Sequence, residues 1–108
     1  MGKFVIKKQS NGQFMFNLKA GNGEIILTSE SYTAKASCEK GIESVKTNAS
    51  DDSKYERKTS TNNKPFFVLK AGNGEPIGKS ELYESTASME KGIESVKKNA
   101  PEAAVEEV

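Results

Sequence analysis

Residues 65–101 repeat residues 14–50 without a gap, 51 positions later, and 24 of the 37 aligned residues are identical. Leu18-Lys19-Ala20-Gly21-Asn22-Gly23-Glu24 returns as Leu69-Lys70-Ala71-Gly72-Asn73-Gly74-Glu75. Glu39-Lys40-Gly41-Ile42-Glu43-Ser44-Val45-Lys46 returns as Glu90-Lys91-Gly92-Ile93-Glu94-Ser95-Val96-Lys97. The same register reaches back to pair Phe4 with Tyr55, Lys7 with Lys58 and Asn11 with Asn62. A fixed internal period means two copies of one structural unit. Each copy is near the lower limit for folding alone, since a domain of roughly 60 residues buries only about 60% of its unfolded surface. The usual staples are missing: there is one cysteine, Cys38, and no histidine, so neither a disulfide framework nor an ordinary zinc site is available. The copies are therefore expected to complete one shared core around a pseudo-twofold axis, as a homodimer does.

Within the first copy, Phe4–Lys8 reads as a strand that runs into Asn11-Gly12, a strong hairpin signal because both residue types tolerate the positive φ of a type I′ turn. Phe14–Lys19 follows, with Phe14, Phe16 and Leu18 on one face. Asn22-Gly23 then leads into a third strand, Glu24–Thr28. From Thr33 or Ala34 to Asn48 the period changes. Ala34, Cys38, Ile42 and Val45 form one apolar stripe at helical spacing. Gly41 and Gly92 recur inside the helices, where glycine costs about 1 kcal/mol relative to alanine, and this points to a close approach of helix and sheet. The expected core is Phe4, Ile6, Phe16, Leu18, Ile26, Cys38, Ile42 and Val45, with Tyr55, Phe67, Leu69, Ile77, Met89, Ile93 and Val96 from the second copy.

The doubled Leu-Lys-Ala-Gly-Asn-Gly-Glu, Tyr32 or Tyr83, and Glu-Lys-Gly-Ile-Glu-Ser-Val-Lys pattern resembles the YegP-like family of small bacterial proteins of unknown function. That resemblance implies β(3)-α-β units assembled into a single sheet, with closing strands swapped between halves. It gives Lys54–Thr59 a swapped role. The expected fold is α+β: two tandem β-β-β-α(-β) repeats with pseudo-twofold symmetry, forming one antiparallel sheet with both helices on one face. Residues 1–101 are expected to form a single domain of two repeats, 1–50 and 54–101. Residues 102–108 carry three glutamates and little apolar area, so they read as an acidic disordered tail. The resemblance supplies no activity, cofactor or catalytic residue.

Several chemistries lack their residues. Without histidine there is no Ser-His or Cys-His pair for nucleophilic catalysis. Cys38 aligns with Met89, which marks a medium apolar helix position and a core thiol. Gly21-Asn22-Gly23 runs from strand to strand, whereas a phosphate-binding turn runs from strand into helix. Asp51-Asp52-Ser53 lacks calcium-loop spacing. Glu24, Glu30, Glu39 and Glu43 recur at 75, 81, 90 and 94, as strand ends and solvated helix faces require. Tyr32 and Tyr83 sit where they would pack the helix entries. No enzyme activity, cofactor or metal is expected.

What remains is the sheet face turned away from the helices. Alternation places Val5, Met15, Asn17, Ile25 and Leu27 there, with Phe66, Val68, Pro76 and Gly78 in the second copy. Lys3, Lys7, Lys19, Arg57 and Lys70 are expected on or beside it. The candidate interaction surface is Val5, Met15, Ile25, Leu27, Phe66 and Val68, and the expected role is a non-catalytic module for a protein partner. Single-stranded nucleic acid is the alternative ligand, and a small-molecule enzyme is the third class, with no constellation of residues to support it. Nucleic-acid binding has limited support: one clear aromatic, Phe66, and a mild surplus of 16 basic over 12 acidic side chains outside the tail. Asn17/Val68, Ile25/Pro76, Leu27/Gly78 and Thr33/Glu84 are the positions where the copies would diverge in role. The longest apolar run is four residues, Phe66–Leu69, the N-terminus has no secretory signal pattern, and a lone cysteine suits a reducing compartment. A cytoplasmic monomer without membrane contact is the expectation.

Overall fold

The computed structural model describes residues 2–108. Each repeat contributes three strands and a helix in the expected order. β1 (Lys3–Lys8), β2 (Phe14–Lys19), β3 (Ile25–Thr28) and α1 (Lys35–Asn48) come from the first. β4 (Tyr55–Thr59), β5 (Pro65–Lys70), β6 (Pro76–Lys79) and α2 (Thr86–Asn99) come from the second. A final strand, β7 (Ala104–Glu107), closes the chain. The hairpin turns differ from the sequence expectation in one respect. At Asn11-Gly12 and Asn22-Gly23 only the glycine has positive φ, +84° and +87°. Such a turn is type I followed by a left-handed residue, so asparagine keeps an ordinary conformation. Its side chain instead accepts a bond from the backbone two residues on, as Asn22 does from the Glu24 N–H at 3.0 Å. Asn63 takes the left-handed place of Gly12 in the second repeat, at φ 66°.

All seven strands join one sheet in the order β4-β5-β6-β3-β2-β1-β7. The two halves meet at β3 and β6, where Thr28 pairs with Lys79. Those residues are repeat equivalents, and a residue facing its own equivalent is what a twofold axis requires. β4 follows α1 and pairs with β5 in the second half, while β7 follows α2 and pairs with β1 in the first. Each helix thus hands its chain to the opposite half.

Two expectations are corrected here. Residues 104–107 of the supposed disordered tail form β7, which runs parallel to β1, so the sheet is mixed rather than wholly antiparallel. Apolar area is indeed scarce, since all four residues of β7 are exposed. Main-chain pairing and charge hold it instead. Val108 N–H donates to the Ile6 carbonyl at 3.0 Å, Lys3 lies 3.4 Å from Glu106, and Lys35 pairs with Glu107. Buried Ala100 and Ala103 anchor the approach.

One continuous core lies between the sheet and both helices, and all fifteen residues expected in it are buried. Phe4 and Phe16 meet edge to face at 5.7 Å, and Tyr55 and Phe67 reproduce the contact at 5.6 Å. The Tyr55 hydroxyl donates to the Ala49 carbonyl at 2.7 Å, satisfying a buried polar group. The recurring glycines answer to the recurring tyrosines. A Cβ on Gly92 would overlap the Tyr83 hydroxyl, and one on Gly41 would overlap that of Tyr32. Each tyrosine ring lies stacked beside a core phenylalanine, at 6.4 Å for Tyr32–Phe16 and 6.3 Å for Tyr83–Phe67. The close approach is therefore that of a tyrosine from the loop before the helix.

Candidate functional site

Placing the helices on one side leaves the other side of the sheet open, and the two repeats treat it differently. In the first, Val5 and Asn17 are buried on this side, and the Asn17 amide donates to Thr28 Oγ1 at 3.0 Å. Leu27, expected on this face, lies on the helix side instead: it pairs with core Leu18, and a bulge in the β2–β3 pairing breaks the alternation. There it reaches across the pseudo-axis, and a Cβ on Gly78, its own repeat equivalent, would lie 2.8 Å from Leu27 Cγ. One repeat's leucine thus occupies the space that the other repeat's glycine vacates.

On the open side the second repeat holds a shallow pocket of about 420 Å³, within the usual size range of ligand sites. Val68, Pro76 and Gly78 form its floor, where the first repeat has Asn17, Ile25 and Leu27. Glu56, Lys58, Lys70 and Lys79 form its rim. Glu56 lies 2.8 Å from Lys70 and 3.8 Å from Lys58. The hydrogen bond from Lys70 holds the Glu56 carboxyl below its ordinary pKa, with the nearby lysine charges adding to it, so it is ionised at neutral pH. Lys79 has no carboxylate within 4.0 Å among the described residues. Next to this pocket, Lys58 and Lys79 also border a broader depression containing Phe66 and Leu82. Leu82 is 46% exposed, where the first repeat has Ser31.

The six residues of the candidate surface therefore fall into different settings. Val5 and Leu27 are buried and offer nothing to a partner. Val68 is 8% exposed and serves as pocket floor. Met15 and Phe66 are half-buried, and Ile25 is exposed. Arg57, expected on or beside this face, points to the helix side, where it bonds Glu90 at 2.6 Å and Asp52 at 3.1 Å. Strand alternation explains this, since Arg57 shares a face with buried Tyr55. The same alternation puts Glu56 and Lys58 on the open face. These are the site residues that sequence reasoning missed, although the signal was present.

Other chemistry-bearing groups are accounted for structurally. Cys38 is fully buried, and burial, followed by the Glu39 charge, pushes its thiol pKa up, away from the reactive thiolate. Ser29 and Ser80 accept from the Phe16 and Phe67 backbone N–H groups and donate to the carbonyls of Glu30 and Glu81. Among the described residues no three His, Cys, Asp or Glu side chains cluster as a metal site, and no helix is long and apolar enough to cross a membrane.

Comparison with known proteins matches a family model described as a domain of unknown function, DUF1508, twice in this chain, at residues 9–56 and 60–107. The second match includes the whole of β7, and the first ends two residues into β4. A UPF0339 protein of Acinetobacter baylyi is 55% identical over 107 residues, covering 99% of this chain and 96% of that protein. The UPF0339 protein YegP of Yersinia pestis is 56% identical over 99 residues, 92% of this chain and 88% of its own length. Among solved structures, that of yegP from E. coli, titled a protein of unknown function, is 51% identical with a TM-score of 0.93, covering 98% of this chain and 91% of that one. A UPF0339 protein from Shewanella oneidensis has the same TM-score at 47% identity, covering 98% and 90%.

Proposed function

Since this chain belongs to the UPF0339 family of two-copy DUF1508 proteins, a family without an assigned activity, we propose from its geometry that it is a non-catalytic binding module. It acts in the cytoplasm as a monomer and presents the open face of its second repeat to a protein partner. The observation that carries this reading is the unequal treatment of equivalent positions. Val68 and Pro76 line a pocket on the open face, where the first repeat has Asn17, bonded to Thr28, and the exposed Ile25. Apolar floor and charged rim together suit a side chain with a polar neighbour. Half-buried Phe66 and exposed Leu82 extend the apolar area along the same face.

The test is capture from a bacterial lysate with three baits: wild type, Phe66→Asp, and Val68→Asn/Pro76→Ile, which restores the first-repeat residues. Wild type is expected to retain a protein that both variants lose. Identical recovery by all three would sink the proposal. Phe66 between Lys58 and Lys79 also supports the second reading, single-stranded nucleic acid. That reading requires affinity for single-stranded DNA or RNA that falls with salt.

A further inference from the structure

β1 and β4 are repeat equivalents, and each pairs antiparallel with the next strand of its own repeat. Their outer sides differ. β7 lies along β1 in parallel, with Lys3 opposite Ala104 and Ile6 opposite Glu107. β4 ends the sheet, with β5 on one side and no strand on the other among the described residues. The chain thus displays, at one end, how its own opening strand accepts an additional strand. The added strand is acidic and exposed, kept by main-chain bonds and by Lys3 and Lys35 rather than by apolar burial.

β4 borders the pocket directly, through Glu56 and Lys58. Lys70 and Lys58 share Glu56, and Lys79 is unpaired within 4.0 Å among the described residues, so this side of the edge has positive charge to spare. On the helix side, Arg57 already bridges Asp52 and Glu90. Charged residues along an edge strand discourage indiscriminate pairing, and they leave the edge open to a strand of complementary charge.

We infer that an extended acidic segment of a partner protein adds to the outer edge of β4 as an eighth, parallel strand, bordering the pocket across Glu56 and Lys58. This rests on the second repeat's open face being the binding face. Main-chain bonds along the edge give the affinity, and alternate side chains give the specificity. On the open side, a carboxylate of the added strand meets Lys58, with Lys70 and Lys79 beyond it, much as Glu106 meets Lys3 on β1. A basic strand would meet the same lysines with repulsion.

The experiment uses the full, isotope-labelled chain and a blocked peptide with the sequence of residues 103–108, chosen because that sequence lies along the equivalent edge. Its counterpart with lysine in place of both glutamates is the control. The acidic peptide is expected to shift amide signals in Tyr55–Thr59 and at Phe66 and Val68, the partners of Lys58 and Glu56. It should also slow exchange of the outward amides of β4 about tenfold when supplied at ten times its Kd. Lys58→Glu is expected to abolish both effects, and the equivalent Lys7→Glu to retain them. The inference is overturned by unchanged exchange in β4, by equal effects of the lysine peptide, or by shifts confined to β1 as β7 is displaced. It is also overturned by a sedimentation-detected dimer in which a second copy's β7 occupies β4. Such a failure with Phe66-dependent lysate capture intact removes the strand-addition mode alone; loss of both removes the binding face as well.

Discussion

Replacing Gly92 by alanine sets two effects of similar size against each other. In an ordinary helix interior the change stabilises by up to about 1 kcal/mol. Here the new methyl overlaps the Tyr83 hydroxyl and lies 2.7 Å from Cζ and 3.3 Å from Phe67 Cε2. Tyr83 must retreat by about 1 Å to restore an ordinary carbon separation of roughly 3.5–4.0 Å. Its stacking beside Phe67, of a kind worth about 0.5–1.5 kcal/mol, is then disturbed. Overpacking of this sort costs about 1–3 kcal/mol, so Gly92→Ala is expected to destabilise by about 1 kcal/mol net. For a chain of this size that lowers Tm by roughly 4 °C. Urea unfolding followed by circular dichroism measures it. Combining it with Tyr83→Phe removes the overlapping hydroxyl but not Cζ, so the double variant should recover part of the loss, with a coupling of at least about 0.5 kcal/mol. Gly41→Ala against Tyr32 should show the same sign. Stabilisation of the single variant by the full helix-propensity gain would refute the reasoning, because the tyrosine would then not be what demands glycine.

Two further outcomes follow from the core. Tyr32, Tyr55 and Tyr83 all have pKa values raised above 10.0, chiefly by burial. Raised folded values mean that this stability is complete below pH 10, the unfolded pKa, and is lost as pH climbs toward the folded values; tyrosinate absorbance should therefore rise together with unfolding, and an independent rise near pH 10 with the fold intact would contradict it. A fragment of residues 1–50 supplies only half of the shared core, so in dilute solution it should show no cooperative melt; sedimentation would verify that the sample is monomeric, and a cooperative transition from monomer would refute core sharing.

How far the sequence reveals the fold depends on which force shapes each segment. Where apolar burial decides, the pattern is legible: Phe16 and Leu18 at period two, and Ile42 and Val45 at helical spacing, occupy the core as expected. Where main-chain pairing decides, the pattern is silent. Ala104, Val105, Glu106 and Glu107 have no burial signature, because β1 supplies the partner from the far end of the chain. Gly41 and Gly92 signalled a close contact, yet the contacting atom belongs to a loop tyrosine that no periodicity identifies. For the open face, alternation located Val68 and Lys70 correctly. It misplaced Leu27, which a bulge turns to the helix side, where it meets Gly78 of the other half across an axis that exists only in the folded chain. The pocket is a property of the pair.

The meeting of Thr28 with Lys79 also limits how such a protein grows. Two units facing each other across an axis use up both positions that the axis provides. A third unit appended after β7 would find no half awaiting completion, so duplication stops at two here, unlike the open-ended stacking of solenoids. Elaboration of this architecture must proceed by letting the two copies drift apart in sequence, as the leucine and glycine at the axis already have.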